Sequence, residues 1–200
     1  MEKRFCVFGD STASGFYDLE MGGWVNRLWL FAIKQDIDND LYNLSISGGT
    51  TETILARFED EAKLRRPNIL IFQSGGNDAA YEKEGENWVA PEKFKLNIEE
   101  IIKRAKKIVG KIIFVGFKNV DESKTMPVSW INLYYKNENI KKYNEIMKNI
   151  CEKEKVFFVD IFGFLEKEDF YDGLHPNSAG HQKIFEIVRN FLIENKILGK

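Results

Sequence analysis

The sequence is poor in the residues that form disulfides and bind transition metals. Its 200 residues include two histidines and two cysteines. The cysteines, Cys6 and Cys151, lie far apart in apolar segments and lack metal-ligand spacing. This is typical of buried thiols, not of a disulfide framework or a zinc site. We therefore expect no bound metal and a reduced, cytoplasmic protein.

Long apolar runs and an excess of one charge are also absent from the sequence. No apolar run approaches the roughly 20 residues that a transmembrane helix requires, and the one near the N-terminus is too short for the core of a signal peptide. The chain has 29 Lys and Arg against 31 Asp and Glu, a net charge of −2, which argues against a nucleic-acid partner. We expect neither a membrane span nor a nucleic-acid partner, and homo-oligomer formation is left open.

The overall composition is that of a folded protein. Hydrophobic residues make up 44% of the chain and charged residues 30%, which is too apolar for a disordered chain. At this length, folding buries roughly 70% of the surface that the unfolded chain exposes. No internal repeat or Pro/Gly-rich linker divides the sequence, so we expect a single domain over residues 1–200.

Short β-rich runs alternate with helical patterns along the whole chain. Several runs are nearly continuous Ile, Val and Phe, as in strands that are buried on both faces. The five predicted strands are residues 4–8, 41–46, 68–73, 111–117 and 156–161. Because helical segments separate them, we predict a three-layer α/β/α sandwich around a five-stranded parallel sheet. Of the two common doubly wound strand orders, we favour the flavodoxin-like order 2-1-3-4-5.

Three residues have the chemistry of a nucleophilic hydrolase, which needs an activated hydroxyl, a base and an acid that orients the base. Ser11 directly follows the first strand, so we expect its hydroxyl in the ligand crevice at the carboxyl end of the sheet. Asp172 precedes His175 by three residues across a glycine-containing turn. Its carboxylate can there bond imidazole Nδ1 and leave Nε2 as a base. Taken singly, both patterns are also typical of ordinary turns and helix caps.

Two further turns supply hydrogen-bond donors at the same edge of the sheet. Gly48 follows the second strand and can present its backbone N–H with no side chain in the way. Asn77 follows the third strand, and its amide offers a donor to a developing oxyanion. Ser11, Gly48, Asn77 and the Asp172/His175 pair each follow a different strand. We therefore interpret them as parts of one site.

These residues resemble the motif blocks of the SGNH, or GDSL-type, family of esterases and lipases, and they stand in the family's order. The blocks are Gly9-Asp10-Ser11, then Gly48, then Gly75-Gly76-Asn77-Asp78, then Asp172-x-x-His175. The resemblance spans nearly the whole chain, and the combination is specific although each block alone is weak.

The resemblance implies a role for each block. Ser11 would be the nucleophile and His175 the base, oriented by Asp172. The oxyanion hole would consist of the Ser11 N–H, the Gly48 N–H and the Asn77 side chain. The implied reaction is hydrolysis of carboxylic esters (small acyl esters, acetylated sugars or lysophospholipid-like substrates) with no metal or organic cofactor.

Two connections are unusually long, residues 79–91 and 118–136, and both leave the carboxyl ends of strands. Their aromatic residues are Tyr81, Trp88, Trp130, Tyr134 and Tyr135. We expect Trp88, Trp130 and Tyr134 to wall an apolar substrate pocket. Packing within the loops and a homo-oligomer interface are the alternatives. The loops lie outside the family's shared pattern, so specificity does not follow from the resemblance.

Other functions stay open at this point. The turn at Ser11 could hold the phosphate of a flavin, as in a flavodoxin-like flavin-binding protein, which would leave Asn77 and the Asp172/His175 pair without a task. A metal-dependent phosphoesterase would be poorly supplied by two histidines. A module that binds acylated ligands without turnover is a third alternative.

The remaining polar residues near the motifs are predicted to be structural. We interpret His181 as a packed or hydrogen-bonded histidine in the first turns of the last helix. We interpret Asp10 and Asp78 as braces of their turns through side-chain bonds to backbone amides.

Overall fold

Seven strands and nine α-helices are formed by residues 2–83 and 86–199, the part of the chain that the computed structural model describes. The strands are β1 (Arg4–Gly9), β2 (Asp40–Asn43), β3 (Ile69–Gln73), β4 (Tyr81–Lys83), β5 (Glu86–Asn87), β6 (Lys111–Val115) and β7 (Phe157–Val159). The helices are α1 (Ser11–Ser14), α2 (Trp24–Gln35), α3 (Thr51–Leu55), α4 (Phe58–Arg65), α5 (Gly76–Ala79), α6 (Pro91–Ala105), α7 (Glu122–Thr125), α8 (Asn137–Glu154) and α9 (Ser178–Glu194). A 3₁₀-helix spans Lys167–Asp169.

Five of these strands form one parallel sheet in the order β2-β1-β3-β6-β7. Numbered among themselves, they have the order 2-1-3-4-5, so the predicted topology is confirmed. Alternate residues of β1 face opposite ways: Phe5 and Val7 belong to one core, and Cys6 and Phe8 to the other. Cys151 packs in the same core as Cys6, and both are buried free thiols, as predicted.

Helices cover both faces of the sheet. On one face α2 and α9 pack through residues such as Trp24 and Val188. On the other face α3, α4, α6 and α8 pack through residues such as Phe58, Phe94 and Tyr143. The result is the predicted three-layer α/β/α sandwich. Within residues 2–83 and 86–199, no helix is long and apolar enough to cross a membrane.

The second strand is shorter than predicted. It ends at Asn43 because the side-chain Oδ1 of Asn43 accepts the Ser45 N–H (3.2 Å) and turns the chain away from the sheet. The chain nevertheless stays beside β1, since the Ile46 N–H bonds the Gly9 carbonyl oxygen at 3.0 Å. The other four sheet strands begin and end within two residues of their predicted bounds.

The two long connections pair with each other. The Tyr81 N–H donates to the Tyr134 carbonyl oxygen (3.2 Å), and the Tyr134 N–H donates back to Tyr81 (2.9 Å). The first connection contains β4 and β5, which pair antiparallel, and the second contains α7. This pairing brings the segment of Trp130 beside that of Trp88, and both indoles border the cavity described below.

Candidate active site

Ser11 lies where β1 passes into α1, at the carboxyl edge of the sheet. A side chain on Gly9, the last residue of β1, would come within 2.5 Å of Ala13 Cβ, so this turn requires glycine. The Asp10 carboxylate accepts the Thr12 N–H at 2.9 Å and caps α1, as predicted. Ser11 is therefore the first helical residue, a position whose amide N–H has no partner within the helix.

The turn before α9 holds His175 against Asp172. Asp172 Oδ1 accepts the backbone N–H groups of Leu174 (2.8 Å) and His175 (2.7 Å), and Asp172 Oδ2 lies 2.7 Å from His175 Nδ1. An ionised carboxylate only accepts hydrogen bonds, so Nδ1 carries the hydrogen and Nε2 keeps a free lone pair. Burial alone raises the pKa of Asp172, but the bonds from the His175 side chain and backbone outweigh burial and lower that pKa below its usual value.

Ser11 and His175 meet although 164 positions separate them in the sequence. The distance from Ser11 Oγ to His175 Nε2 is 2.9 Å. With Asp172 on the other ring nitrogen, one hydrogen-bonded chain runs from a carboxylate through an imidazole to a hydroxyl. His175 is buried, and its ring lies near those of Phe16 and Trp130, with centroid distances of 5.4 and 6.3 Å. In this arrangement the imidazole can take the proton of the hydroxyl.

The Asn77 side chain is held in one orientation. Its Nδ2 donates to the Gly49 carbonyl oxygen (2.9 Å), and its Oδ1 accepts from the Tyr135 hydroxyl (2.8 Å). Because a backbone carbonyl only accepts, the nitrogen of the amide must face Gly49. Among the residues that the structure describes, no second acceptor bonds Asn77 Nδ2, so its other hydrogen can bond a ligand. Burial, and then the carboxylate of Asp10, raise the pKa of Tyr135, so its hydroxyl stays a donor.

Gly48 lies in a tight turn that is closed by a 3.0 Å bond from the Gly49 N–H to the Ile46 carbonyl oxygen. Its φ of +76° favours glycine. Apart from Gly48 and its chain neighbours, no atom of the described residues lies within 4 Å of the position that a Cβ would take. The turn is tied to α5, the helix of Asn77, because Asp78 accepts the Thr51 N–H (3.1 Å) and the Thr51 hydroxyl. Asp78 is thus structural, as predicted, but its side chain bonds Thr51 at the start of α3 instead of bracing its own turn. Burial raises the pKa of Asp78 to about 7.

Comparison with known proteins agrees with this geometry. The sequence matches the GDSL-like lipase/acylhydrolase family over residues 7–183, a range that includes every motif residue described above. The chain belongs to this family. It is accordingly a hydrolase of the GDSL type, with the general activity of an esterase or acylhydrolase.

Individual relatives of this GDSL-type hydrolase are distant in sequence. Esterase TesA of Pseudomonas aeruginosa is 24% identical over 186 residues, covering 91% of this chain and 84% of TesA. The solved structure of LAE5, an alpha/beta hydrolase enzyme from the metagenome of Lake Arreo, has a TM-score of 0.76 at 20% identity, covering 99% of this chain and 97% of that one. Axe2, an acetylxylan esterase from Geobacillus stearothermophilus, has a TM-score of 0.74 at 19% identity, covering 96% and 93%. Such similarity between structures shows that the fold is shared.

A mainly apolar cavity of about 410 Å³ opens beside the Ser11–His175 pair of this GDSL-type hydrolase. Its apolar lining consists of Phe16, Trp88, Trp130, Ile131, Leu133, Tyr135 and Leu174. Its polar lining includes Ser11, Ser47, Gly48, Asn77, Glu82 and His175. The predicted pocket residues Trp88 and Trp130 therefore border the same space as Ser11 and His175.

The third predicted pocket residue, Tyr134, lies elsewhere, and this prediction is corrected. Its ring stacks on Tyr81 with 5.4 Å between centroids, and the next residue, Tyr135, lines the cavity. Neighbouring residues of an extended segment point to opposite sides, so one of the two tyrosines faces the site and the other faces away. The sequence places both in the loop but has no periodicity there that identifies the inward one.

His181 is fully buried on α9 and serves the loop beside the site. Its Nε2 donates to the Phe16 carbonyl oxygen (3.0 Å), and its Nδ1 accepts the Trp24 N–H (3.3 Å). It thus fixes the segment of Phe16, whose ring borders the cavity and contacts His175. Burial lowers the pKa of His181 to about 4, so it is neutral at pH 7. The prediction of a structural histidine is confirmed.

The alternative functions fit the site less well. A flavin phosphate would bind at the N-terminus of α1. There the Asp10 carboxylate already accepts the Thr12 N–H, and an acidic side chain at this position disfavours a second acidic group. A dinuclear phosphoesterase needs a cluster of metal-binding side chains. The described residues contain no group of three or more His, Cys, Asp or Glu suited to a metal ion.

Proposed function

We propose that the protein is a serine esterase that hydrolyses carboxylic esters through an acyl-enzyme on Ser11. The observation that carries this proposal is the hydrogen-bonded chain from Asp172 through His175 to Ser11, with distances of 2.7 and 2.9 Å. Family membership supports ester hydrolysis in general, and the assignment of each residue's role is the added step.

In the first half of the reaction, Ser11 Oγ attacks the ester carbonyl carbon while its proton passes to His175 Nε2. Asp172 accepts from Nδ1–H and stabilises the imidazolium that forms. When the tetrahedral intermediate collapses, the bond to the alcohol oxygen breaks, and His175 returns the proton to that oxygen. The acyl group stays on Ser11. Water then attacks the acyl-enzyme with His175 again as base, releases the carboxylic acid and restores Ser11.

Three donors serve the oxyanion of the tetrahedral intermediate in this proposal: the Ser11 N–H, the Gly48 N–H and the free Nδ2 hydrogen of Asn77. Within residues 2–83 and 86–199, neither backbone N–H has a hydrogen-bond acceptor. The Asn77 amide is oriented in advance by Gly49 and Tyr135. Donors fixed before the reaction stabilise the oxyanion without a cost of reorganisation.

The substrates that fit this proposal are small acyl esters, acetylated sugars and lysophospholipid-like esters. The aromatic lining of the cavity, with Trp88 and Trp130 each about half exposed, suits an apolar group or the face of a sugar ring. The names of two relatives, the esterase TesA and the acetylxylan esterase Axe2, support esters and acetylated sugars as the classes to test first.

Covalent trapping tests the proposal directly. The protein is incubated with a fluorophosphonate, which reacts with activated serine hydroxyls, and is then analysed by intact-mass and peptide mass spectrometry. We expect one adduct on Ser11, none in Ser11→Ala, and loss of esterase activity in parallel with labelling. Hydrolysis that persists in fully labelled protein, or an adduct on a different serine, contradicts the proposal.

A further inference from the structure

A second, much smaller cavity adjoins Ser11. Its volume is about 30 Å³, and it shares Ser11, Asn77, Tyr135 and Leu174 with the larger cavity. His175 lines the larger cavity and is not part of the smaller one. The site thus has two unequal compartments that meet at the proposed nucleophile, and one of them excludes the proposed base.

On the basis of the function proposed above, each cavity can be assigned to one half of an ester substrate. The alcohol oxygen must receive a proton from His175 Nε2, so the alcohol group belongs in the larger cavity. The acyl group stays on Ser11 after the alcohol leaves, with its carbonyl oxygen at Asn77. The smaller cavity contains Ser11 and Asn77 but not His175, which is the environment that the acyl substituent requires.

The size of the smaller cavity limits the acyl group. One water-sized group needs about 10–15 Å³ of such space, so about 30 Å³ holds roughly two of them. An acetyl group places one methyl there, and a propionyl group adds a methylene and fills the space. A butyryl group exceeds it and has to displace the walls.

The walls are built to resist displacement. Phe117, Val120, Tyr135 and Ile140 line the smaller cavity and are each at most 5% exposed. The Val120 backbone is also held at both ends by the Asn137 side chain, at 2.8 and 2.9 Å. A packed interior yields little to an extra methylene, and forcing one in costs about 1–3 kcal/mol.

Lys118 adds a charge to the same wall. It lines the smaller cavity, and the carboxylates of Asp10 and Asp172 interact with it electrostatically. A longer alkyl chain pressed against this ammonium would remove part of its remaining contact with water without replacing it. The charge therefore acts against long acyl chains in the same direction as the packed walls.

We propose that the smaller cavity is the acyl pocket, and that it makes the enzyme selective for acetyl and propionyl esters while the larger aromatic cavity accepts varied alcohols. Of the substrate classes named above, this selectivity retains small acyl esters and acetylated sugars and excludes lysophospholipid-like esters with long acyl chains. The test measures kcat/KM for nitrophenyl acetate, propionate, butyrate and hexanoate, and for acetates of different alcohols. We expect kcat/KM to fall about 10- to 100-fold between propionate and butyrate, and to vary much less among the acetates.

Variants that enlarge the smaller cavity test whether it causes the selectivity among acyl groups. Val120→Ala, and the milder Ile140→Val, are expected to raise the butyrate-to-acetate ratio of kcat/KM about tenfold. Ile131→Ala is the matched control, since Ile131 lines only the larger cavity. It should alter KM among alcohols and leave the acyl ratio within about twofold. Unfolding curves show whether each variant is folded.

Ser11→Ala, assayed on the same esters, separates the two proposals. If it retains hydrolysis, the proposed catalytic function is wrong. If it is inactive while the folded wild type hydrolyses hexanoate as well as acetate, the function stands and the acyl-pocket assignment is overturned. An acyl ratio that shifts in Ile131→Ala but in neither Val120→Ala nor Ile140→Val also overturns the assignment.

Discussion

The Tyr135 hydroxyl donates to Asn77 Oδ1 at 2.8 Å and thereby holds the Asn77 amide with its nitrogen toward the Gly49 carbonyl oxygen, beside the active-site cavity that Asn77 lines. Tyr135 is 3% exposed, so water does not compete for this bond. A residue of the long connection after β6 thus orients a donor that follows β3. We treat Tyr135 as a positioning residue.

Removing this hydroxyl is expected to weaken turnover without blocking it. In Tyr135→Phe the Asn77 amide loses one of its two restraints but keeps its bond to Gly49. We predict a fall in kcat of about tenfold, with KM nearly unchanged, because the lost interaction acts mainly in the transition state. Steady-state kinetics on an aryl acetate measure both constants.

The neighbouring tyrosine provides the control for this variant. Tyr134→Phe removes the same atom from a ring that stacks on Tyr81 outside the cavity, so kcat should stay close to the wild-type value. Equal losses of kcat in the two variants would show that the bond from Tyr135 to Asn77 has no special part in turnover.

Asn77→Ala removes the proposed oxyanion donor itself. Loss of one such donor lowers kcat by about 10²–10³-fold, so we predict a loss at least ten times greater than in Tyr135→Phe. The variant also leaves the buried Tyr135 hydroxyl unpaired, which costs about 1–3 kcal/mol of stability. Kinetics and urea unfolding are measured on the same samples. A kcat no lower than that of Tyr135→Phe would argue that Asn77 is only structural.

Asp172→Asn tests how the imidazole is oriented. An asparagine at this position can keep the backbone bonds but can present an N–H to His175 Nδ1, which favours the wrong ring tautomer. In another Ser–His–Asp enzyme this change lowers kcat about 10⁴-fold, and we expect a loss of similar order with the fold retained. Circular dichroism monitors the fold. Activity within tenfold of wild type would mean that Asp172 does not set the tautomer.

His181 makes stability depend on pH. Burial holds its folded pKa at about 4, below the value of about 6.5 for a free imidazole. Between these values the unfolded chain binds a proton that the native chain does not. This contribution to the unfolding free energy is therefore complete above about pH 6.5 and is lost as the pH falls toward 4, by roughly 3 kcal/mol in total.

A comparison of the wild type with His181→Gln isolates the contribution of His181. The comparison is needed because Asp78 changes the stability with pH in the opposite direction. The pKa of Asp78 is raised to about 7, so the native chain gains a proton first and Asp78 adds stability as the pH falls. Both proteins contain Asp78, and their difference reports on His181. Urea unfolding at several pH values should show that the wild-type advantage shrinks from pH 7 to pH 4. A constant difference would contradict the assigned pKa.

Most of the site could be located from the sequence because its parts follow the strands of a parallel sheet. Ser11, Gly48 and Asn77 follow the ends of β1, β2 and β3 by two, five and four residues, and the topology alone places the three turns at one edge. The Asp172/His175 pair could be predicted because its contact is local. The contact between His175 and Ser11 depends on the tertiary structure. The order of the motifs suggests this contact, and the structure shows it.

For the long connections, the sequence did not predict which side chains face the cavity. Their aromatic residues indicate a pocket wall, but pairing between Tyr81 and Tyr134 determines which neighbouring ring turns inward. The smaller cavity likewise could not be predicted from the sequence. It arises where Phe117, Lys118 and Val120 after β6 meet Ile140 of α8 and Leu174, and no local pattern reports the space left between separate elements.

The most direct test of the central claim compares Ser11→Ala with Ser14→Ala in the hydrolysis of an aryl acetate. The two serines begin and end the same short helix, so the variants differ in which hydroxyl is lost and little in the fold. We predict that Ser11→Ala lowers kcat by at least about 10⁴-fold while its unfolding curve stays close to that of the wild type, and that Ser14→Ala keeps most of the activity. Folded Ser11→Ala protein that hydrolyses the ester at the wild-type rate would contradict the account.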